Sequence, residues 1–135
     1  MKKQTTAQLK KKLDSWFSKY IRLRDSKDGY GNCYTCGKRK HWKEAHCGHW
    51  IPRNILATRF NEDNCRLQCI GCNLFANGKF IEFRINLVKE IGEERVKALE
   101  DLKFSIFKVG SPWYEEKIEH YKKEVDKLSR QQKLK

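Results

Sequence analysis

No stretch of this 135-residue chain holds the roughly 18 consecutive apolar residues of a membrane-spanning helix. The N-terminal "MKKQTTAQLKKKLDSW" carries lysines without the apolar core that a secretory signal places behind them. Both absences point to a soluble, cytoplasmic protein. Acidic residues are also scarce, since seventeen Asp and Glu against thirty Lys and Arg leave a formal charge of +13. Self-repulsion on that scale costs stability unless a polyanion relieves it, so nucleic acid is the expected partner. The length leaves room for one domain with a modest core, and no internal repeat is present.

Helical periodicity frames the two ends. Thr5 and Gln8 read as a capping box, after which Leu9, Leu13, Trp16, Phe17 and Tyr20 recur on one face, which predicts a helix over residues 5 to 24. From Gly78 onward Phe80, Phe83, Leu87 and Ile91 share a face and Gly92 is a stop before "EERVKALEDL", so two helices in tandem are expected. "KVGSPWYEE" supplies Ser111 as N-cap, Pro112 at the first helical position and two acids in the first turn of a last helix. Its apolar face is Trp113, Ile118, Tyr121, Val125 and Leu128, and its polar end "LSRQQKLK" is expected to fray. The chain thus divides into a basic amphipathic helix over 1–30, a cysteine-rich core over 31–103 and a basic C-terminal helix over 104–135.

The six cysteines suit metal better than disulfides in a reducing compartment. "CYTCGK" and "CIGCN" are two Cys-x-x-Cys pairs, Cys33 with Cys36 and Cys69 with Cys72, separated by 32 residues. Each pair offers two thiolates from one tight turn, and two such knuckles complete a tetrahedral shell around Zn²⁺. A closed four-thiolate shell has no position for substrate, so this zinc is structural. It staples a segment too poor in apolar residues to fold unaided. Cys47 and Cys65 remain, and read as packed thiols, with Cys65, four residues before Cys69, the alternative zinc ligand.

Between the knuckles lies "AHCGHWIPRN", with His46 and His49 three residues apart in a chain of only four histidines. They can be metal ligands, structural hydrogen-bonders, or a general base beside a ligand. Asn64 precedes the second knuckle and Asn73 follows its last cysteine, where Asn can also cap the next helix.

The order of knuckle, histidine, Asn64, knuckle and Asn73 resembles the HNH endonuclease, or ββα-metal, arrangement. "GHWIPRN", "RFNEDNCRLQC" and "CNLFANGKFIEFRINLVKEIGEERVKALE" further resemble the NinG/Rap family of lambdoid phage recombination proteins, across about residues 30 to 100. The resemblance implies an α+β fold, a small zinc-stapled ββα-metal core with flanking N- and C-terminal helices. It implies His49 as general base, Asn73 as ligand of a catalytic divalent ion, Mg²⁺ or Mn²⁺, and Asn64 as the residue that pins the loop. Relatives carry Asp near the second ligand position, where this chain offers His46, with Glu44 as the alternative. His46 and His49 can share one metal centre only if a bulge at Cys47-Gly48 turns them to one side of the strand.

The implied activity is metal-dependent DNA cleavage selective for branched recombination intermediates, Holliday junctions or D-loops, in the host cytoplasm. Symmetric incision of a junction would need two active centres, which a homodimer supplies, and a monomeric nickase is the alternative. Lys2, Lys3, Lys10, Lys11 and Lys12, with Arg53, Arg59, Arg66, Lys79 and Arg84 around the centre, are the candidate phosphate contacts. Two alternatives stand beside this reading: an HNH nuclease of the homing or restriction kind acting on ordinary duplex, and a zinc-ribbon DNA-binding module without catalysis.

Overall fold

The computed structural model describes residues 3–134. Helix α1 (Thr6–Arg24) starts at the expected capping box: Thr5 Oγ1 accepts from the Gln8 amide at 3.1 Å, and Gln8 Oε1 accepts from the Thr5 amide at 2.8 Å. Leu9, Leu13, Phe17 and Ile21, spaced by four residues, are buried along one stripe. That stripe lies against α5 (Ser111–Gln131), which contributes Tyr114, Ile118 and Tyr121. Phe17 and Tyr121 meet edge to face with centroids 5.1 Å apart. Each buried aliphatic or aromatic side chain here contributes on the order of 1.5–3 kcal/mol.

The last helix differs from expectation at both ends. Gly110 is its N-cap, so Ser111 is already the first helical residue and makes no capping bond, and Glu115 and Glu116 fall beyond the first turn. Tyr114, and not Trp113, leads the buried face. The C-terminal end is tied down, because the Gln132 side chain donates to the Leu23 carbonyl at 2.8 Å and accepts from the Gly29 amide at 3.0 Å.

Two antiparallel hairpins fill the middle of the chain. Strand β1 (Tyr30–Asn32) pairs with β2 (Arg39–His41), and β3 (His46–His49) pairs with β4 (Cys65–Gln68). The long β3–β4 connection holds the one-turn helix α2 (Leu56–Arg59). All of β4 is buried, and Cys65 joins the α1–α5 cluster, so the second hairpin and the terminal helices share one core. After β4 a π-type turn (Gly71–Phe75) leads to α3 (Phe80–Ile91) and α4 (Glu93–Leu102), separated by Gly92 at φ +90°. Phe83, Leu87 and Val96 close these two helices on each other. No described helix is long and apolar enough to cross a membrane.

Candidate active site and metal centre

Cys33 directly follows β1 and Cys69 directly follows β4, so the two hairpins deliver one knuckle each. In the first, the Gly37 amide donates to the Cys33 carbonyl at 2.9 Å, and its φ of +77° lets the chain leave the turn. In the second, the Cys72 amide points at Cys69 Sγ at 3.4 Å. The four sulfurs lie within 4.8 Å of one another, and Cys36 Sγ stands 3.7 Å from Cys69 Sγ. A tetrahedron with Zn–S arms of about 2.3 Å has edges of about 3.8 Å, so the donor set matches a structural zinc. Hydrogen bonds from neighbouring backbone amides and Thr35 hold the Cys33 thiol near a pKa of about 6 despite burial, while burial pushes Cys72 up to about 12. Bound Zn²⁺ would keep both as thiolates.

Beside this frame the β3–β4 hairpin runs without interruption: His46 is opposite Gln68, Cys47 opposite Leu67, Gly48 opposite Arg66 and His49 opposite Cys65. The bulge expected at Cys47-Gly48 is therefore absent. Gly48 is required for another reason, since a Cβ there would collide with Gln68 Oε1 and stand 2.9 Å from Gln68 Cβ. The buried Gln68 crosses over Gly48 and donates through Nε2 to Thr35 Oγ1 at 3.0 Å and to the Gly78 carbonyl at 2.8 Å. One side chain thereby ties β4 to the first knuckle and to the turn before α3.

Without a bulge, alternation gives His46 and His49 to opposite faces of β3. They nevertheless both line one cavity of about 620 Å³, together with Asp14, Ser18 and Arg22 of α1 and Asn73 of the π-type turn. Asn73 Nδ2 donates to His46 Nδ1 at 3.0 Å. His49 Nε2 lies 3.0 Å from the Arg59 carbonyl, which fixes Nε2 as the protonated nitrogen and leaves the lone pair on Nδ1. Burial, aided by the Arg53 and Arg59 charges, pushes the His49 pKa below 6.5 against the opposing carbonyls of Arg59 and Cys47. Burial, then Arg22, does the same to His46. Both rings are neutral at physiological pH.

Asn64 is fully buried beneath the long connection. Its Oδ1 accepts from the Ile51 amide at 2.7 Å, and its Nδ2 donates to the carbonyls of Ile51 at 3.0 Å and Thr58 at 3.1 Å. Every strong hydrogen-bonding position but one is used, so the carboxamide clasps the connection that follows His49.

The arginines are less free than their sequence positions imply. Arg66 is buried, donating to the carbonyls of Glu62, Asp63 and Cys65 and to Glu90, so it cannot reach a phosphate. Arg84 is engaged by Glu93 and Glu100, away from the cavity. Arg59 is paired with Asp14. Arg53 also bonds Asp14, but its side chain is 58% exposed on the cavity rim. Lys79 occupies a left-handed conformation (φ +50°) at the start of α3. Lys3 and Lys11 are exposed and Lys10 and Lys12 half-buried; Lys2 lies outside the described residues. Glu44, the alternative ligand, is exposed and does not line the cavity.

Sequence reasoning missed Arg22 and Lys43, which supply positive charge to the cavity. Arg22 had a readable trace: Ser15, Ser18 and Arg22 form a polar stripe at helical spacing beside the apolar face of α1. Lys43 had none.

The profile of a family described as "Bacteriophage Lambda NinG protein" matches residues 1–131. The chain belongs to the NinG family. The match takes in α1 and α5 as well as residues 30 to 100. Protein ninG of Escherichia phage lambda is 40% identical to this NinG-family chain over 70 residues, 50% of the chain and 33% of the relative. Protein ninG of Escherichia phage 933W is 38% identical over 70 residues, 50% of the chain and 34% of the relative. The aligned segments thus span about a third of the length of these curated relatives. No solved structure matches the chain.

Proposed function

We propose that this chain is a metal-dependent DNA endonuclease of the HNH, or ββα-metal, type, selective for branched recombination intermediates such as Holliday junctions or D-loops. The observation that carries the reading is that His49, His46 and Asn73, from a strand pair and the turn that follows it, open onto one cavity beside a four-cysteine frame. The cavity's charged lining is Arg22, Lys43 and Arg53 against a single carboxylate, Asp14, as a phosphodiester requires.

His49 is the general base. Nε2 is held on the Arg59 carbonyl, so Nδ1 takes the proton from water, and the depressed pKa keeps that nitrogen unprotonated at neutral pH. The hydroxide so formed attacks phosphorus in line, the bond to the 3′-oxygen breaks, and that oxygen takes a proton from solvent, so the products carry a 5′-phosphate and a 3′-hydroxyl. Arg53 and Arg22 position the phosphate and balance its charge. A catalytic ion would be held by His46 and Asn73, which already meet at 3.0 Å, in place of the hydrogen bond between them. An imidazole and an amide oxygen without a carboxylate suit Mn²⁺ better than Mg²⁺. The ion's chemistry, when bound, is neutralisation of charge on the scissile phosphate and the leaving oxygen. Symmetric incision needs two such centres, hence a homodimer.

The test is cleavage of an end-labelled four-way junction and of linear duplex of the same sequence, across a divalent-ion series. Junction cleavage with Mn²⁺ and a loss of about 10²–10⁴-fold in His49→Ala, with DNA binding kept, is expected. Equal rates on both substrates would remove branch selectivity. A wild-type chain that binds DNA but cuts with none of the ions would make this a binding module.

A further inference from the structure

The cysteines left over by the zinc frame are not scattered. Cys47 Sγ, Cys65 Sγ and a ring nitrogen of His49 all lie within 4.8 Å of one another, on the face of the β3–β4 hairpin opposite Gly48. The Arg59 carbonyl organises this group, 3.0 Å from His49 Nε2 and 4.0 Å from Cys65 Sγ. Cys65 is fully buried, whereas Cys47 and His49 line the cavity. We propose that Cys47, Cys65 and His49 form a second metal site, for a thiophilic ion such as Zn²⁺, whose fourth coordination position faces the cavity.

Three observations support it. Two thiolates and one neutral imidazole are a soft donor set that selects Zn²⁺ over Mg²⁺ or Mn²⁺. Three protein ligands with one side open is the usual form of a zinc site accessible to solvent. With both thiols deprotonated the Zn²⁺ complex has no net charge, so it can sit beside the apolar α1–α5 cluster, and against the Arg24 and Arg66 guanidinium groups on the Cys65 carbonyl, without an unpaired buried charge. Binding balances as one Zn²⁺ taken up and two thiol protons released. The packed-thiol role expected for these cysteines describes the metal-free state.

The consequence rests on the proposed nuclease reading: zinc here withdraws His49 from base catalysis, so a thiophilic ion inhibits while the hard divalent ion activates.

Metal content settles the site independently of cleavage. The 135-residue wild-type chain, equilibrated with Zn²⁺ and freed of excess, is expected to retain two ions per chain by elemental analysis, and Cys47→Ala and Cys65→Ala one each. With Co²⁺, the second equivalent adds thiolate-to-cobalt absorption in the wild type that Cys47→Ala lacks. Cys65→Ala empties a buried position; if it misfolds by circular dichroism, the half-buried Cys47→Ala and Cys47→Ser carry the comparison. One ion per wild-type chain, or two in the Cys47 variants, overturns the site. In the cleavage assay, Zn²⁺ should inhibit Mn²⁺-supported wild-type activity at concentrations about tenfold or more below those needed for Cys47→Ala. Two ions bound with no cleavage under any condition would keep the site and sink only the nuclease reading.

Discussion

The β3–β4 hairpin is fastened differently at its two ends. At the His46–Gln68 end, Cys69 and Cys72 follow directly and join Cys33 and Cys36 in a four-sulfur frame. At the His49–Cys65 end, the connection from Trp50 to Asn64 is gathered by three hydrogen bonds to one buried carboxamide. The first fastening is a donor set that could hold an ion and spans 40 residues of chain; the second is local and depends on none. Both hold the strand that displays the two histidines, and each restrains the one nearest to it.

The comparison is broken most completely from the metal end. Binding of a structural zinc is worth on the order of 10 kcal/mol, comparable with the whole stability of a small domain. Cys69→Ser, or chelation of the wild type, is therefore expected to abolish the cooperative thermal transition; a sharp melt after metal removal would show that the frame is dispensable. The other end should yield less. Asn64→Ala removes three buried hydrogen bonds and strands the Ile51 amide, at a cost of about 3 kcal/mol, measured by urea denaturation with zinc content unchanged. Gly48→Ala tests the middle of the strand, where Gln68 has no room to give, and should cost about 1–3 kcal/mol in the same experiment.

The smallest effect is the shape of a pH profile. On the proposed role of His49 as general base, burial lowers its pKa, so the imidazole stays deprotonated just below pH 6.5 and protonation switches it off only on the acid side of that value. The acid limb of kcat/KM should therefore fall below pH 6.5, and Phe17→Ala or Arg53→Ala, which admit water or remove a positive charge beside His49, should move it up toward the value of a free imidazole. An acid limb at or above 6.5 in the wild type would mean that another group governs the rate.

The two ends of the hairpin were unequally legible. Cys-x-x-Cys pairs can be read from spacing alone, because a tight turn presents both sulfurs whatever surrounds it, and the four cysteines do converge. The capping box at Thr5 and the Gly92 break are local in the same sense and stand where periodicity places them. Ser111 is off by one residue because Gly110 already supplies the extended cap conformation. The bulge failed for a longer-range reason: Gly48 serves a side chain 20 residues away in sequence, and nothing near it names Gln68. Arg66, Arg59 and Arg84 read as free charges in the sequence, which cannot show that Glu90, Asp14 and Glu100 pair with them in three dimensions.

By itself the sequence determined that a basic core with two cysteine knuckles would stand between helices, since knuckles, caps and amphipathic stripes are properties of residues a few positions apart. Only the tertiary structure decided which faces meet. It folded α1 over β3, so that a cavity reaches both sides of an unbulged strand and brings His46, His49 and Asn73 to one space, and it set Cys47 beside Cys65. Those meetings depend on how the α1–α5 core seats the hairpin, a sum of many weak contacts that no short segment encodes.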